Sequence, residues 1–329
     1  MGRITIYIYS GKTGYDVSEL VKSVVWSGRK SSVARTIEVS MVDDYHRDDG
    51  RVKMALADGW TCVFKWDNEE LFRGIIMKQS LSQAKENKWK AYDICTYLAN
   101  SKDSFSYSNK TASEIFKDCC IRAGLTVGNV AETGYKIGSL IKPKTTFFDC
   151  ICEALSITYK NTGSRFYVRT SGTNKIDLLK RKEHRTQWVV EMGEDITSFS
   201  YTESIEKIKT RYRIYSKSGS LLKEANNDKL EKAVGTLIEI ETADDGFTEA
   251  SIKQMVNTMI EESGYPTKSL SLTTIGITSA ISGGCLYVII PQLDINRTFY
   301  IDEDKHTFNG EKYTMQVKLN FASDISKAG

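Results

Sequence analysis

His46, His184 and His306 are the three imidazoles of this 329-residue chain. General acid–base or metal chemistry needs such groups at short, repeated spacings with carboxylates or thiolates. Asp302, Glu303 and Asp304 stand beside His306, which imitates the acid/base cluster of a hydrolase. That run lies between the strand-like Tyr300–Ile301 and Asn309–Gly310, an Asn-Gly turn, so the expected structure is a hairpin tip. Asp43–Asp44 and Asp48–Asp49–Gly50 are acidic enough for calcium, but the ligand spacing of a Ca²⁺ loop is missing, and they read as a solvated loop.

Seven cysteines are present: Cys62, Cys95, Cys119, Cys120, Cys150, Cys152 and Cys285. The close pairs, Cys119–Cys120 and Cys150/Cys152, do not make the C-x2-C spacing of a zinc site. The odd count, without a secretion signal, fits reduced thiols packed on helix faces. Cys285 with His306 would be a nucleophile pair only if the fold joined them, and nothing in their spacing requires it. H-E-x-x-H, G-x-S-x-G, the Walker loop and G-x-G-x-x-G are all missing. The expectation is therefore no catalytic, cofactor-binding or metal-binding residue, and no cofactor.

The sharpest charge pattern is Lys207, Lys209, Arg211 and Arg213, alternating with Ile208, Thr210, Tyr212 and Ile214. Period 2 puts the four cations on one face of a strand. They are candidates for a surface facing an acidic partner or lining a passage. The chain as a whole is nearly neutral, 45 Lys+Arg against 42 Asp+Glu giving +3. That excludes a nucleic-acid-coating or polybasic membrane protein. The longest apolar run, Cys285–Ile290, is far short of the ~20 residues that span a bilayer. No signal peptide opens the chain, so synthesis in a cytoplasm without membrane insertion is expected.

The elements that must carry these residues are mostly strands. Residues 1–105 alternate with frequent turns, as in Arg35–Met41, where Ile37, Val39 and Met41 share a face opposite Thr36, Glu38 and Ser40. Residues 106–184 read as a small α+β domain. Thr111–Glu114 has capping-box spacing ahead of Ile115, Phe116, Cys119 and Cys120, and Gly124 sits beyond the helix end. Thr146–Asp149 opens a second helix closed by Gly163, and Phe166–Val168 with Lys175–Leu179 reads as a hairpin. Strands resume over 185–218 and 265–323, around a helical insertion at 219–264. A weak internal echo relates Gly59–Trp66, Phe72 and Trp89 to Gly284–Pro291, Phe299 and Tyr313. The fold class is α+β, mainly β: the strands of 1–105 suggest a barrel or sandwich, and the echo points to a second unit of the same kind at 185–218 plus 265–323.

Several segments in order resemble XkdQ/YqbQ-like phage tail proteins. They are Val24–Gly28 (VVWSG), Val33–Ser40 (VARTIEVS), Glu70–Ile76 (ELFRGII) and Ala91–Leu98 (AYDICTYL). Thr146–Gly163, Phe166–Val168, Ile176–Leu179, Leu270–Gly276, Ile281–Gly284 and Phe299–His306 continue the series. The resemblance implies a baseplate hub of a contractile tail, from a myophage, a PBSX-like prophage or an R-type bacteriocin. It implies two barrels related to the tail-tube fold, three copies of which make a pseudo-sixfold ring adapting the hexameric tube to a trimeric spike. The implied partners are two further copies in a homotrimer, the tail tube protein, the spike protein and other baseplate proteins, with DNA passage through the lumen in a genome-carrying particle. No catalytic residues come with the resemblance. The alternative is a cell-wall-active enzyme or glycan-binding β module of the same particle.

Overall fold

A computed structural model describes residues 2–30, 32–42, 58–81, 86–171, 174–181, 188–244 and 246–321. Among the described residues strand outweighs helix, 56% to 21%, and the class is α+β, mainly β. The first part is β1 (Ile4–Ser10), β2 (Thr13–Asp16), β3 (Val21–Arg29), β4 (Ser32–Val42), β5 (Thr61–Trp66), β6 (Glu69–Leu81) and β7 (Glu86–Tyr92). In β4, Ile37, Val39 and Met41 are buried and Glu38 is exposed, as the alternation requires. They pack with Ile6, Phe64 and Trp89 in a first core.

The middle is α1 (Thr96–Asn100), β8 (Lys102–Thr111), α2 (Ala112–Arg122), β9 (Thr126–Val130), β10 (Lys136–Thr146), α3 (Phe147–Thr162), β11 (Phe166–Ser171) and β12 (Lys175–Lys180). At α2, Thr111 Oγ1 accepts from the Glu114 N–H at 3.2 Å and Glu114 Oε2 accepts from the Thr111 N–H at 2.8 Å. This reciprocal cap satisfies two donors that the first turn leaves open. Gly163, at φ +70°, closes α3 in the left-handed region where a side chain would be strained. A second core unites Phe105, Phe116, Phe147, Ile151 and Ile176. Cys95 and Leu98 also belong to it, so this unit starts upstream of residue 106.

The last part is β13 (Val189–Glu191), β14 (Ile196–Ser204), β15 (Arg211–Tyr215), β16 (Leu221–Asn226), α4 (Asp228–Val234), β17 (Ile238–Thr242), α5 (Glu249–Ser263), β18 (Thr267–Ile275), β19 (Cys285–Ile290), β20 (Ile295–Asn309) and β21 (Lys312–Asn320). β15 pairs with β16 and β17. Its Tyr212 and Ile214 pack on Ile252, Met255 and Met259 of α5 in a separate core. The strand expected to join a second barrel therefore sits in the insertion, which is a three-stranded α/β unit rather than purely helical.

The remaining strands form one sheet in the order β14-β18-β21-β20-β3-β4-β7-β6-β5-β1-β2, with β19 on β20 and β13 on β19. Among the described residues no closed barrel forms. β20 explains why. Ile295–Tyr300 pair with β19 and Glu303–Asn309 pair with β3 on the same edge, while β21 runs along the other. One long strand thus joins two sheet halves into a continuous surface.

The two halves share a strand order. The first reads β3-β4-β7-β6-β5-β1 and the second β14-β18-β21-β20-β19-β13, so the strands correspond one to one in chain order. The echo read in the sequence maps β5–β6–β7 onto β19–β20–β21. One pairing differs: β1 runs antiparallel to β5, whereas β13 runs parallel to β19.

Candidate functional site: the seam between the sheet halves

β3 and β20 meet with Gly28 opposite Asp304 and Trp26 opposite His306. Arg35, from the neighbouring β4, lies in phase with Ile37 and Val39 and so points inward. Its Nη1 donates to Asp304 Oδ1 at 2.9 Å and its Nη2 to Asp304 Oδ2 at 2.5 Å. The Ser282 N–H donates to Oδ1 at 2.6 Å, and Nη1 also reaches Ser282 Oγ at 3.3 Å. The guanidinium lies 4.2 Å from the Trp26 ring centroid. A Cβ on residue 28 would stand 2.2 Å from Arg35 Nη1, so only glycine admits the guanidinium here.

His306 extends the network. Its Nδ1 is 2.8 Å from Tyr313 OH, and its Nε2 is 3.2 Å from Asp304 Oδ2, in geometry short of a hydrogen bond. The side chains of Asp304 and His306 are fully buried. Burial alone would raise the Asp304 pKa, but the Arg35 guanidinium outweighs it and holds the carboxyl well below the usual carboxylate range. Burial depresses His306, Arg35 depresses it further, and Asp304 opposes both. At neutral pH the site is an Arg35⁺–Asp304⁻ pair beside a neutral imidazole.

This arrangement corrects the expected hairpin tip. Asp302–His306 lie inside β20, and the turn comes at Gly310. Arg35 is not among the sequence candidates, although a charged residue in phase with Ile37, Val39 and Met41 is a legible signal that a buried acid must pair with it. Two guanidinium donors and a backbone N–H occupy Asp304, and no solvent reaches it. The geometry suits fastening two sheet halves, not proton transfer to a substrate.

The other candidates are dispersed. Cys285 stands opposite Tyr300, six strand residues from His306, about 20 Å away at ~3.3 Å per residue. Cys150 is buried and Cys152 exposed, because residues two apart project from different helix faces. Among the described residues no group of three His, Cys, Asp or Glu is placed to hold a metal. No described helix is long and apolar enough to cross a membrane. His46, His184 and the Asp43–Gly50 acidic run lie outside the described residues.

The basic stripe meets acids of its own chain. Lys207 and Lys209 precede β15, and Ile208 between them is buried. Lys209 Nζ lies 3.1 Å from Glu239 Oε2. Arg211 Nη2 donates to Glu231 Oε1 at 2.7 Å, and Arg213 Nε to Glu224 Oε2 at 2.6 Å. The pairs connect β15 to β16, α4 and β17 within the insertion.

This fold is shared with solved phage tail proteins. The chain superposes on the 43 kDa tail protein of prophage MuSo2 from Shewanella oneidensis with TM-score 0.73 at 12% identity, covering 98% of this chain and 99% of that one. It also matches the E. coli c3393 protein, TM-score 0.55 at 9% identity over 97% of this chain and 77% of that one. That protein is described as a type VI secretion component with structural similarity to the T4 tail proteins gp27 and gp5.

The sequence profile of the YqbQ-like family matches residues 24–320, and the chain belongs to that family. It is 31% identical over 307 residues to the phage-like element PBSX protein XkdQ of Bacillus subtilis, covering 92% of this chain and 93% of that protein. It is 30% identical over 309 residues to YqbQ of the same organism, with 92% of both chains covered.

Proposed function

We propose that this tail-type protein is a baseplate hub, three copies of which form a ring between the hexameric tail tube and the trimeric spike. The observation that carries this reading is the shared strand order of the two halves. A chain holding two equivalent β units presents six such units as a trimer, which lets a threefold object meet a sixfold one. The likeness to a protein itself compared with T4 gp27 and gp5 supports the same reading.

The edges of the sheet supply the means of assembly. β2 and β14 end the strand path, and each leaves one row of backbone N–H and C=O groups for a neighbour to pair. Lys207, Lys209, Arg211 and Arg213 are among the cations the insertion brings to such a ring. Three of them already face glutamates, so their net contribution to a lumen field is small.

Edge pairing alone buries less than the ~1,200 Å² of a stable interface. The isolated chain is therefore expected to be a monomer or weak trimer, and to become trimeric when tube and spike proteins are added. Native mass measurement of the chain with and without those partners tests this. A stable dimer or tetramer, or no binding to either partner, contradicts it.

A further inference from the structure

Where the middle unit meets the seam, a cavity of about 290 Å³ opens beside α3, β11 and the 281–283 loop. Its cations are Arg29, Lys30, Arg35, Arg165, Arg169 and Arg181, and among the described lining residues Glu262 is the one carboxylate. Three of the six are matched within the chain: Arg35 by Asp304, Arg181 by Asp302 at 3.3 Å, and Arg165 by Glu262 at 3.6 Å. Arg29, Lys30 and Arg169 have no carboxylate partner among the described residues. Arg169 Nε is buried without a hydrogen-bond partner. The apolar lining residues are Phe148, Leu155, Phe166, Val168 and Ile281.

Arg29 and Lys30 are exposed at the mouth of the cavity and Arg169 is half-buried, so the three present positive charge to an entering anion. Burial first, then the Arg181 and Arg165 charges, lower the Lys30 pKa, against the Asp302 and Glu262 carboxylates that raise it. Guanidinium forks match the paired oxygens of phosphate or carboxylate. The apolar lining asks for a hydrophobic body behind that head group. The volume lies at the small end of the ~300–1,000 Å³ typical of ligand pockets, room for about one ring system.

We infer that this cavity binds a small organic anion, a phosphate or carboxylate head on an aromatic or aliphatic body, with Arg29, Lys30 and Arg169 receiving the head and Phe148, Leu155 and Val168 the body. The inference does not depend on the hub reading. Of the seam pair, Arg35 lines the cavity but is committed to Asp304, and the sheet edges take no part.

The test is calorimetric titration of the full chain with 1-naphthyl phosphate, 1-naphthol and inorganic phosphate at low and high salt. Naphthyl phosphate is expected to bind one per chain, at least about tenfold tighter than either fragment, and more weakly in high salt. Arg169→Gln and Lys30→Gln are each expected to weaken it about tenfold. Both should leave the melting temperature unchanged or raised, because like-charge repulsion is relieved. Arg169→Lys, which keeps the charge but loses the fork, should fall between and guards against a folding defect in the glutamine variant. Naphthol binding as tightly as its phosphate would reduce the site to a greasy pocket and overturn the inference. So would naphthyl phosphate binding that all three folded variants leave unchanged.

Discussion

Arg35 and Asp304 are separated by 269 residues and meet as a bidentate pair at 2.9 and 2.5 Å. Arg35 comes from β4 of the first half and Asp304 from the strand that both halves share. The pair therefore holds the chain's two β units in one fixed relation, the relation on which an adaptor ring would depend.

Removing one partner of a buried ion pair leaves an uncompensated charge. Asp304→Asn is expected to lower the unfolding free energy by about 3–5 kcal/mol. The double variant Arg35→Met, Asp304→Leu should recover much of that loss, since the guanidinium is then no longer stranded. Urea unfolding of the three proteins checks both; a loss below about 1 kcal/mol for the single variant would show the pair to be dispensable.

Gly28→Ala drives a methyl into the Arg35 guanidinium and Ser282 Oγ. Overpacking of this kind costs about 1–3 kcal/mol. Gly59→Ala has open space but a φ of +87°, so it costs through backbone strain alone and should leave the seam intact. Fluorescence of Trp26, which stacks on Arg35, is expected to shift in the Gly28 variant and not in the Gly59 variant.

The pH dependence divides between two buried groups. Burial holds His306 below its ordinary value, and Arg35 adds to this against Asp304. As pH falls through ~6.5 the unfolded chain takes up that proton first, so stability drops. Burial pushes Asp93 up to about 6, against hydrogen bonds from Thr170 and from the Cys95 N–H. The folded chain takes up this proton first, so Asp93 makes stability rise as pH falls from about 6 towards the unfolded ~3.9. Denaturation curves at pH 7.5, 6.5 and 5.5 should show His306→Gln losing less stability on acidification than the parent. Asp93→Asn should lose more. Identical slopes in all three would rule out both assignments.

Local features were legible in the sequence because their causes are local. The Thr111–Glu114 cap, the Gly163 terminus and the alternation of β4 each follow from a few adjacent residues. The echo between residues 59–89 and 284–313 was legible too, and it maps the three-strand meander that both halves contain. What escaped was set at long range. Asp302–His306 resembled a hairpin tip because Asn309–Gly310 is a strong turn signal, and only the pairing with β3 shows that β20 carries these residues inside the sheet. The basic stripe kept strict period 2 through Lys207 and Lys209. Yet Ile208 is buried and Thr210 Oγ1 bonds the Gly235 carbonyl at 3.0 Å, so the strand starts only at Arg211. The cavity was invisible for the same reason: its cations come from four separate segments, each unremarkable alone.

The central claim is that one chain supplies two equivalent positions of a pseudo-sixfold ring. Cryo-electron microscopy of the assembled tail tip tests it most directly. The account predicts three copies around the axis, with the β1–β7 half and the β13–β14, β18–β21 half alternating at about 60° steps beneath the tube. A map with two, four or six copies, or with one half displaced from the ring, would contradict it.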